Sequence, residues 1–115
     1  MPFFYIATPY SKDPRGITVA FVDAAKAAAG FMRQGHAVFS PIAHAHPIAI
    51  YGGLDPLDAE TWIAQHEHLM SAAAGLFVVH MNGWDVSDGI AHEIAWFQRH
   101  DKPVRHFAWP SLEEL

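Results

Sequence analysis

Short apolar runs alternate along the chain with longer segments whose apolar residues recur every three or four positions. Residues 3–8 form a compact apolar run ending at Pro9 and read as a buried strand. Asp13-Pro14 has the form of a helix start, because Asp accepts from free N–H groups and Pro suits the first turn. The predicted helix runs to about Gln34, with Ile17, Phe21, Ala24, Ala28, Phe31 and Met32 as its apolar stripe and Gly35 as its stop. Residues 37–40 are a second short strand closed by Pro41. Residues 41–56 read as a loop, punctuated by Pro41, Pro47, Gly52-Gly53 and Pro56, with room for one helical turn over 48–51. Asp55-Pro56 repeats the helix-start signal and predicts a helix over roughly 57–73, with Trp62, Leu69 and Ala73 among its apolar positions. Residues 76–80 are a third strand, bounded by Gly75 and Asn82-Gly83. A helix from about 89 to 100 follows, turning Ile90, Ile94 and Phe97 inward. Residues 104–107 are a fourth strand, and 111–115 form a capped terminal turn.

Strands alternating with helices imply an α/β fold with a parallel sheet covered on both faces by right-handed crossovers. At 115 residues the chain suits one domain, taken as 1–115. Ligands of such folds bind beyond the carboxyl ends of the strands. That rule selects the loops 9–13, 41–53 and 82–88 before any motif is considered.

Composition narrows the function. Apolar residues are 51% and charged residues 17%, enough to build a core. The absence of cysteine removes disulfides, thiolate metal sites and cysteine nucleophiles. Seven Lys and Arg against twelve Asp and Glu give a formal charge of -5 with no basic cluster, which argues against a nucleic-acid polymer as partner. No apolar run approaches the ~20 residues of a membrane span. The first ten residues lack the basic flank of a signal peptide, so a cytoplasmic protein is the expectation. Neither G-x-G-x-x-G nor G-x-x-x-x-G-K-[ST] occurs, which speaks against an ordinary dehydrogenase or NTPase.

The third loop carries the most chemistry. Ser87 or Asp88 can cap the helix that follows, whose free amides attract an anion, and Gly89 lets a ligand approach the backbone. Glu93 lies one turn inside that helix, on the flank of the buried stripe, where partial desolvation suits a nucleophile or base. A capped helix with a solvated Glu would show the same pattern. The first loop offers Thr8, Tyr10, Ser11, Lys12 and, further on, Arg15 as contacts for a sugar or phosphate, or as an ordinary polar loop. His44-Ala45-His46 and His66-Glu67-His68 are two H-x-H pairs. The first would suit a metal if it stood at a strand end; the second, on a helix, points its rings about 200° apart. Trp62 and Trp84 are candidates for stacking on a base or for core packing.

Three segments, in order, carry a resemblance: Tyr5-Ile6-Ala7-Thr8-Pro9-Tyr10-Ser11, then Gly35-His36-Ala37-Val38-Phe39-Ser40-Pro41, then Gly83-Trp84 through Ser87-x-Gly89 to Glu93. With them the chain resembles the nucleoside 2-deoxyribosyltransferase superfamily, including the 2'-deoxynucleoside 5'-monophosphate N-glycosidases, and more narrowly a small bacterial and phage branch of it. The resemblance implies a flavodoxin- or Rossmann-like three-layer sandwich with a parallel sheet of four or five strands. It implies a homo-oligomer, dimer or larger, that needs no metal or organic cofactor. Glu93 becomes the nucleophile on the anomeric carbon of a deoxyribose. Ser87 matches a 5'-phosphate contact of the monophosphate hydrolases, and Tyr10 a substrate-loop tyrosine. Two departures stand out. The family's middle-helix Asp is missing, leaving Glu67 as the nearest carboxylate and His66 or His68 as other proton donors. A Gly- and Arg-rich phosphate loop is also missing, leaving that task to Lys12 and Arg15.

The leading expectation is therefore an enzyme that cleaves the N-glycosidic bond of a 2'-deoxynucleoside or its 5'-monophosphate. Its expected catalytic residues are Glu93 and Glu67. Its expected substrate contacts are Tyr10, Ser11, Ser87, Gly89, Trp84 and His44. The alternatives are a nucleotide-binding or sensing module without turnover, and a metal hydrolase built on His44 and His46.

Overall fold

The computed structural model describes residues 2–115. Four strands, β1 (Phe4–Ala7), β2 (Val38–Phe39), β3 (Gly75–Val79) and β4 (Val104–Phe107), form one sheet in the order β2-β1-β3-β4. Every pairing is parallel, with Tyr5 opposite Phe39 and Leu76, and Val78 opposite His106. Helices α1 (Ile17–Arg33), α2 (Pro41–Gly52), α3 (Ala59–Ala72) and α4 (Asp88–Arg99) make the crossovers.

The two-residue period of the strands splits the core. Ile6, Phe77 and Val79 join Ala27, Phe31, Phe107 and Leu112 on the α1 side. Tyr5, Ala7, Leu76 and Val78 join Met70, Ile90, Trp96 and Phe97 on the side of α3 and α4. The result is the expected single-domain, three-layer, Rossmann-like α/β sandwich. Among the described residues, no helix is long and apolar enough to cross a membrane.

Two expectations of local structure are corrected. The segment 41–53 is mostly helix. Ser40 Oγ accepts from the Ala43 N–H at 3.2 Å, Pro41 stands in the first turn, and Gly53 ends α2 at φ 73°. Proline at the start and glycine just past the end are therefore boundaries, and only Pro47 lies inside. The other helices start later than Asp-Pro suggests. Asp13 is occupied by Arg15, whose backbone N–H lies at 2.9 Å and whose guanidinium forms two further bonds, so α1 begins only after Gly16. Asp55 accepts from the Leu57 N–H at 2.9 Å in a turn, and α3 begins after Asp58. The face of α1 that packs on the sheet is Ala20, Ala24, Ala27 and Phe31, while Met32 is exposed.

The loop 100–103 fastens the far end of α3. Lys102 Nζ donates to the carbonyls of Met70, Ser71 and Ala73 at 3.3, 2.6 and 2.6 Å. A cation there also complements the helix's negative end.

Candidate active site

The strand order reverses direction between β1 and β3, so the connections leaving their carboxyl ends diverge to opposite faces of the sheet. A cavity of about 390 Å³ lies beyond β1, within the size range of small-molecule sites. The segment after β1 supplies Thr8, Tyr10 and Ser11; α2 supplies Ile42, Ala45 and His46; α3 supplies Trp62, Ile63, His66 and Met70. The last wall is Ser87 and the first turns of α4, with Asp88, Gly89, His92 and Glu93.

Ser87 caps α4, its Oγ accepting from the Ile90 N–H at 3.2 Å. The cap fixes the phase of the helix. Ile90 and Phe97 are thereby buried in the core while Glu93 reaches the cavity. Burial pushes the Glu93 carboxyl up to about 8, against a smaller downward pull from the Tyr5 hydroxyl beside it. Tyr5 is in turn raised far above an ordinary phenol, first by its own burial and then by the Glu93 charge. Both residues line the cavity, where Glu93 is an acid with little solvation and the Tyr5 phenol is the group that favours its anion.

On α3, His66 is buried and its pKa falls to about 4, because burial and the nearby His44 both disfavour its cation. At neutral pH it is a neutral imidazole and a poor general acid. The indole of Trp62 stacks at 6.0 Å from His66, and its N–H is held by the Asp55 carbonyl at 2.9 Å. Across the cavity the Tyr10 hydroxyl meets His46 Nδ1 at 2.6 Å.

Thr8 Oγ1, His66 Nε2 and His92 Nε2 are buried without a hydrogen-bond partner. All three belong to residues of the cavity wall. Buried polar atoms are rarely left unpaired, so their gathering around one space makes it the candidate ligand site.

Most of the expected contacts converge here: Glu93, Tyr10, Ser11, Ser87 and Gly89 all line the cavity. Three expected residues do not. Glu67 is exposed one position beyond His66, because a helix turns neighbouring side chains about 100° apart. His44 is exposed, and its ring lies 6.2 Å from that of His66, outside the cavity lining. Trp84 packs flat on His80 at 3.7 Å and against the core, outside the cavity lining. The H-x-H motif of residues 44–46 stands on α2, not at a strand end, so its rings diverge and only His46 reaches the cavity. Among the described residues no group of three or more His, Asp or Glu is placed to hold a metal.

The expected phosphate contacts are also corrected. Arg15 is held by Asp13 at 2.9 Å and Asp23 at 2.6 Å. None of the seven Lys and Arg lines the cavity, whose charged residues are the acids Asp88 and Glu93.

A family model described as a domain of unknown function, DUF1937, matches residues 3–109, which takes in all four strands and all four helices. The chain belongs to the DUF1937 family. No curated protein matches it. The match spans every wall of the cavity, so the whole site lies inside the DUF1937 domain.

Sequence reasoning passed over Tyr5 and His92 as ligand-facing groups, weighed His46 only as half of a metal pair, and named His66 only beside His68 as a proton donor. Tyr5 sits in an apolar run and reads as core. The helical spacing of Trp62, His66 and Met70, four residues apart each time, is the signal that would have placed His66 on the same face as two apolar residues.

Proposed function

We propose that this DUF1937 protein is an N-glycosidase or deoxyribosyltransferase acting on a 2'-deoxynucleoside through Glu93. The observation that carries the reading is the Glu93–Tyr5 pair in the lining of a cavity sized for a small molecule. Of the three sequence segments that resemble the nucleoside 2-deoxyribosyltransferases, the first contributes Tyr5 and Tyr10 to it, the second Pro41, and the third Ser87 and Glu93.

In this reaction the ionised Glu93 oxygen bonds to the anomeric carbon. The carbon–nitrogen bond breaks, its electron pair leaves with the base, and the base takes up a proton. Water, or the nitrogen of another base, then displaces the carboxylate from the glycosyl-enzyme. Tyr5 stabilises the ionised carboxylate before attack and after release. The aromatic and imidazole wall of Trp62 and His66 suits a flat, uncharged base. A carboxylate-bearing cavity with no Lys or Arg in its lining favours the nucleoside over its monophosphate.

The test is base release from the four 2'-deoxynucleosides and their 5'-monophosphates, followed by chromatography with and without an acceptor base. The expected result is release from nucleosides by the wild-type chain, lowered at least ~1,000-fold in Glu93→Gln. Release undiminished in that variant would remove Glu93 from the chemistry.

A binding module without turnover is the second reading. It is favoured by the raised pKa of Glu93, which leaves the carboxyl largely protonated in the empty cavity at neutral pH. Nucleoside binding with no base released on raising the pH above 8 would select it.

A further inference from the structure

His46 takes no part in the reaction just described, and its partner in the H-x-H motif points away. Its surroundings are nevertheless well defined. The imidazole is 8% exposed and lies flat on Phe21 of α1, with ring centres 4.6 Å apart and planes 20° from parallel. Its Nδ1 meets the Tyr10 hydroxyl at 2.6 Å, joining α2 to the loop after β1 across 36 residues of sequence. Both residues line the cavity.

A neutral imidazole has one donor nitrogen and one acceptor nitrogen, and the bond made by one sets the role of the other. A phenol O–H is a stronger donor than a neutral imidazole N–H, and an imidazole nitrogen a stronger acceptor than a phenol oxygen, so Nδ1 accepts from Tyr10 and the proton of His46 resides on Nε2. The Tyr10 oxygen has then spent its only hydrogen and keeps its lone pairs. It can accept from a ligand and cannot donate. The stack on Phe21 prevents the ring from turning away, and the hydroxyl is held in one direction.

We propose that His46 is a positioning residue that fixes Tyr10 as an acceptor for one hydroxyl of the substrate's deoxyribose. This rests on the nucleoside reading for the identity of the ligand. Glu93 must meet the anomeric carbon, so the sugar lies over the Glu93–Tyr5 pair. Tyr10 lines the same cavity as Tyr5 and Glu93, and a deoxyribose seated over Glu93 brings its hydroxyl donors into that cavity.

The experiment measures nucleoside affinity by calorimetry in the Glu93→Gln background, where no substrate is consumed. The probes are the best-bound 2'-deoxynucleoside and its 3'-deoxy and 5'-deoxy analogues. Tyr10→Phe and His46→Phe, the latter keeping the stack on Phe21, are each expected to weaken the parent nucleoside about 5- to 10-fold. The double variant is expected to lose no more than either single one, because one hydrogen bond is being removed twice. His46→Asn, which places an acceptor near the Nδ1 position, is expected to recover most of the loss. One of the two analogues should bind the original and His46→Phe proteins equally well.

Losses that multiply in the double variant would overturn the proposal. So would an equal loss for the parent and both analogues, the mark of a merely structural role. Coupling in binding without base release by the Glu93-intact chain would refute the reaction and leave this inference standing. Base release without coupling would do the reverse, and failure of every nucleoside to bind would remove both.

Discussion

The two faces of the sheet use the same strands for different ends. Toward α1, Phe31, Phe77 and Phe107 meet in one aromatic cluster, with ring centres 4.6 to 5.0 Å apart. That cluster is hydrocarbon at its centre, with His36 and the Arg105 guanidinium against its rings. Toward α3 and α4 the core begins in the same way, with Leu76, Val78 and Phe97, and then opens at the carboxyl end of β1 into the cavity. There Tyr5, Glu93, His66 and His92 replace aliphatic filling. Successive residues of β1 show the contrast at its sharpest: Ile6 disappears into the aromatic face, and Tyr5 carries its hydroxyl to Glu93. Stability and chemistry are separated by the period of a strand.

That separation can be broken most forcefully on the α1 face. Phe77→Ala should cost roughly 3–5 kcal/mol in chemical denaturation, by lost burial and a residual void. Nucleoside affinity at temperatures where the variant stays folded should be unchanged. A comparable loss of affinity would show that the two faces are coupled.

The open face should instead reveal itself through pH. Glu93 is raised on folding, so its contribution to stability is fully present below about 4.5 and is lost as pH rises through about 8. Wild-type stability should therefore decline relative to Glu93→Gln across that window, by on the order of 5 kcal/mol in all. His66 works in the opposite sense. Its pKa is lowered on folding, so its contribution is present above 6.5 and lost as pH falls through about 4. Denaturant midpoints of wild type, Glu93→Gln and His66→Gln from pH 4 to 9 check both signs.

A smaller change sharpens the role of the phenol. Tyr5→Phe removes the group that favours the Glu93 anion and should move the midpoint of the pH–rate profile upward by roughly one unit. A midpoint that stayed in place would assign Tyr5 to packing alone. Ser87→Ala, at the edge of the cavity, should cost about 1 kcal/mol of stability through the lost cap. It should leave the preference between nucleoside and monophosphate unchanged, since no cation stands nearby in the cavity lining to bind phosphate with it.

The alternation of strands and helices was legible because each period leaves a direct mark on the spacing of apolar residues. The rule that ligands bind beyond the carboxyl ends of strands selected the loops of Tyr10, Ser11 and Ser87, and the helix after the third loop brought in Gly89 and Glu93. Helix α2 was not legible as helix. Its apolar content is high all round, so no stripe stood out, and Pro47 broke the remaining pattern. Misreading it left His46 only as half of a metal pair and gave His44 a place in the site. Glu67 shows the other limit. Residue type suggested a carboxylate on α3, while the phase of that helix gave the cavity His66 instead. The charge on Arg15 was visible in the sequence, but its capture by Asp13 and Asp23 depends on the turn that delays α1.

The three carbonyls gathered by Lys102 have a mechanical consequence. They anchor α3 at the end farthest from Trp62, and the Ala74 N–H adds a bond to the Phe3 carbonyl at 2.8 Å just beyond. The other end of the helix is tied within its own segment, where Asp55 and Asp58 hold Leu57, Thr61 and Trp62, so the two ends of this cavity wall are set by separate groups of bonds.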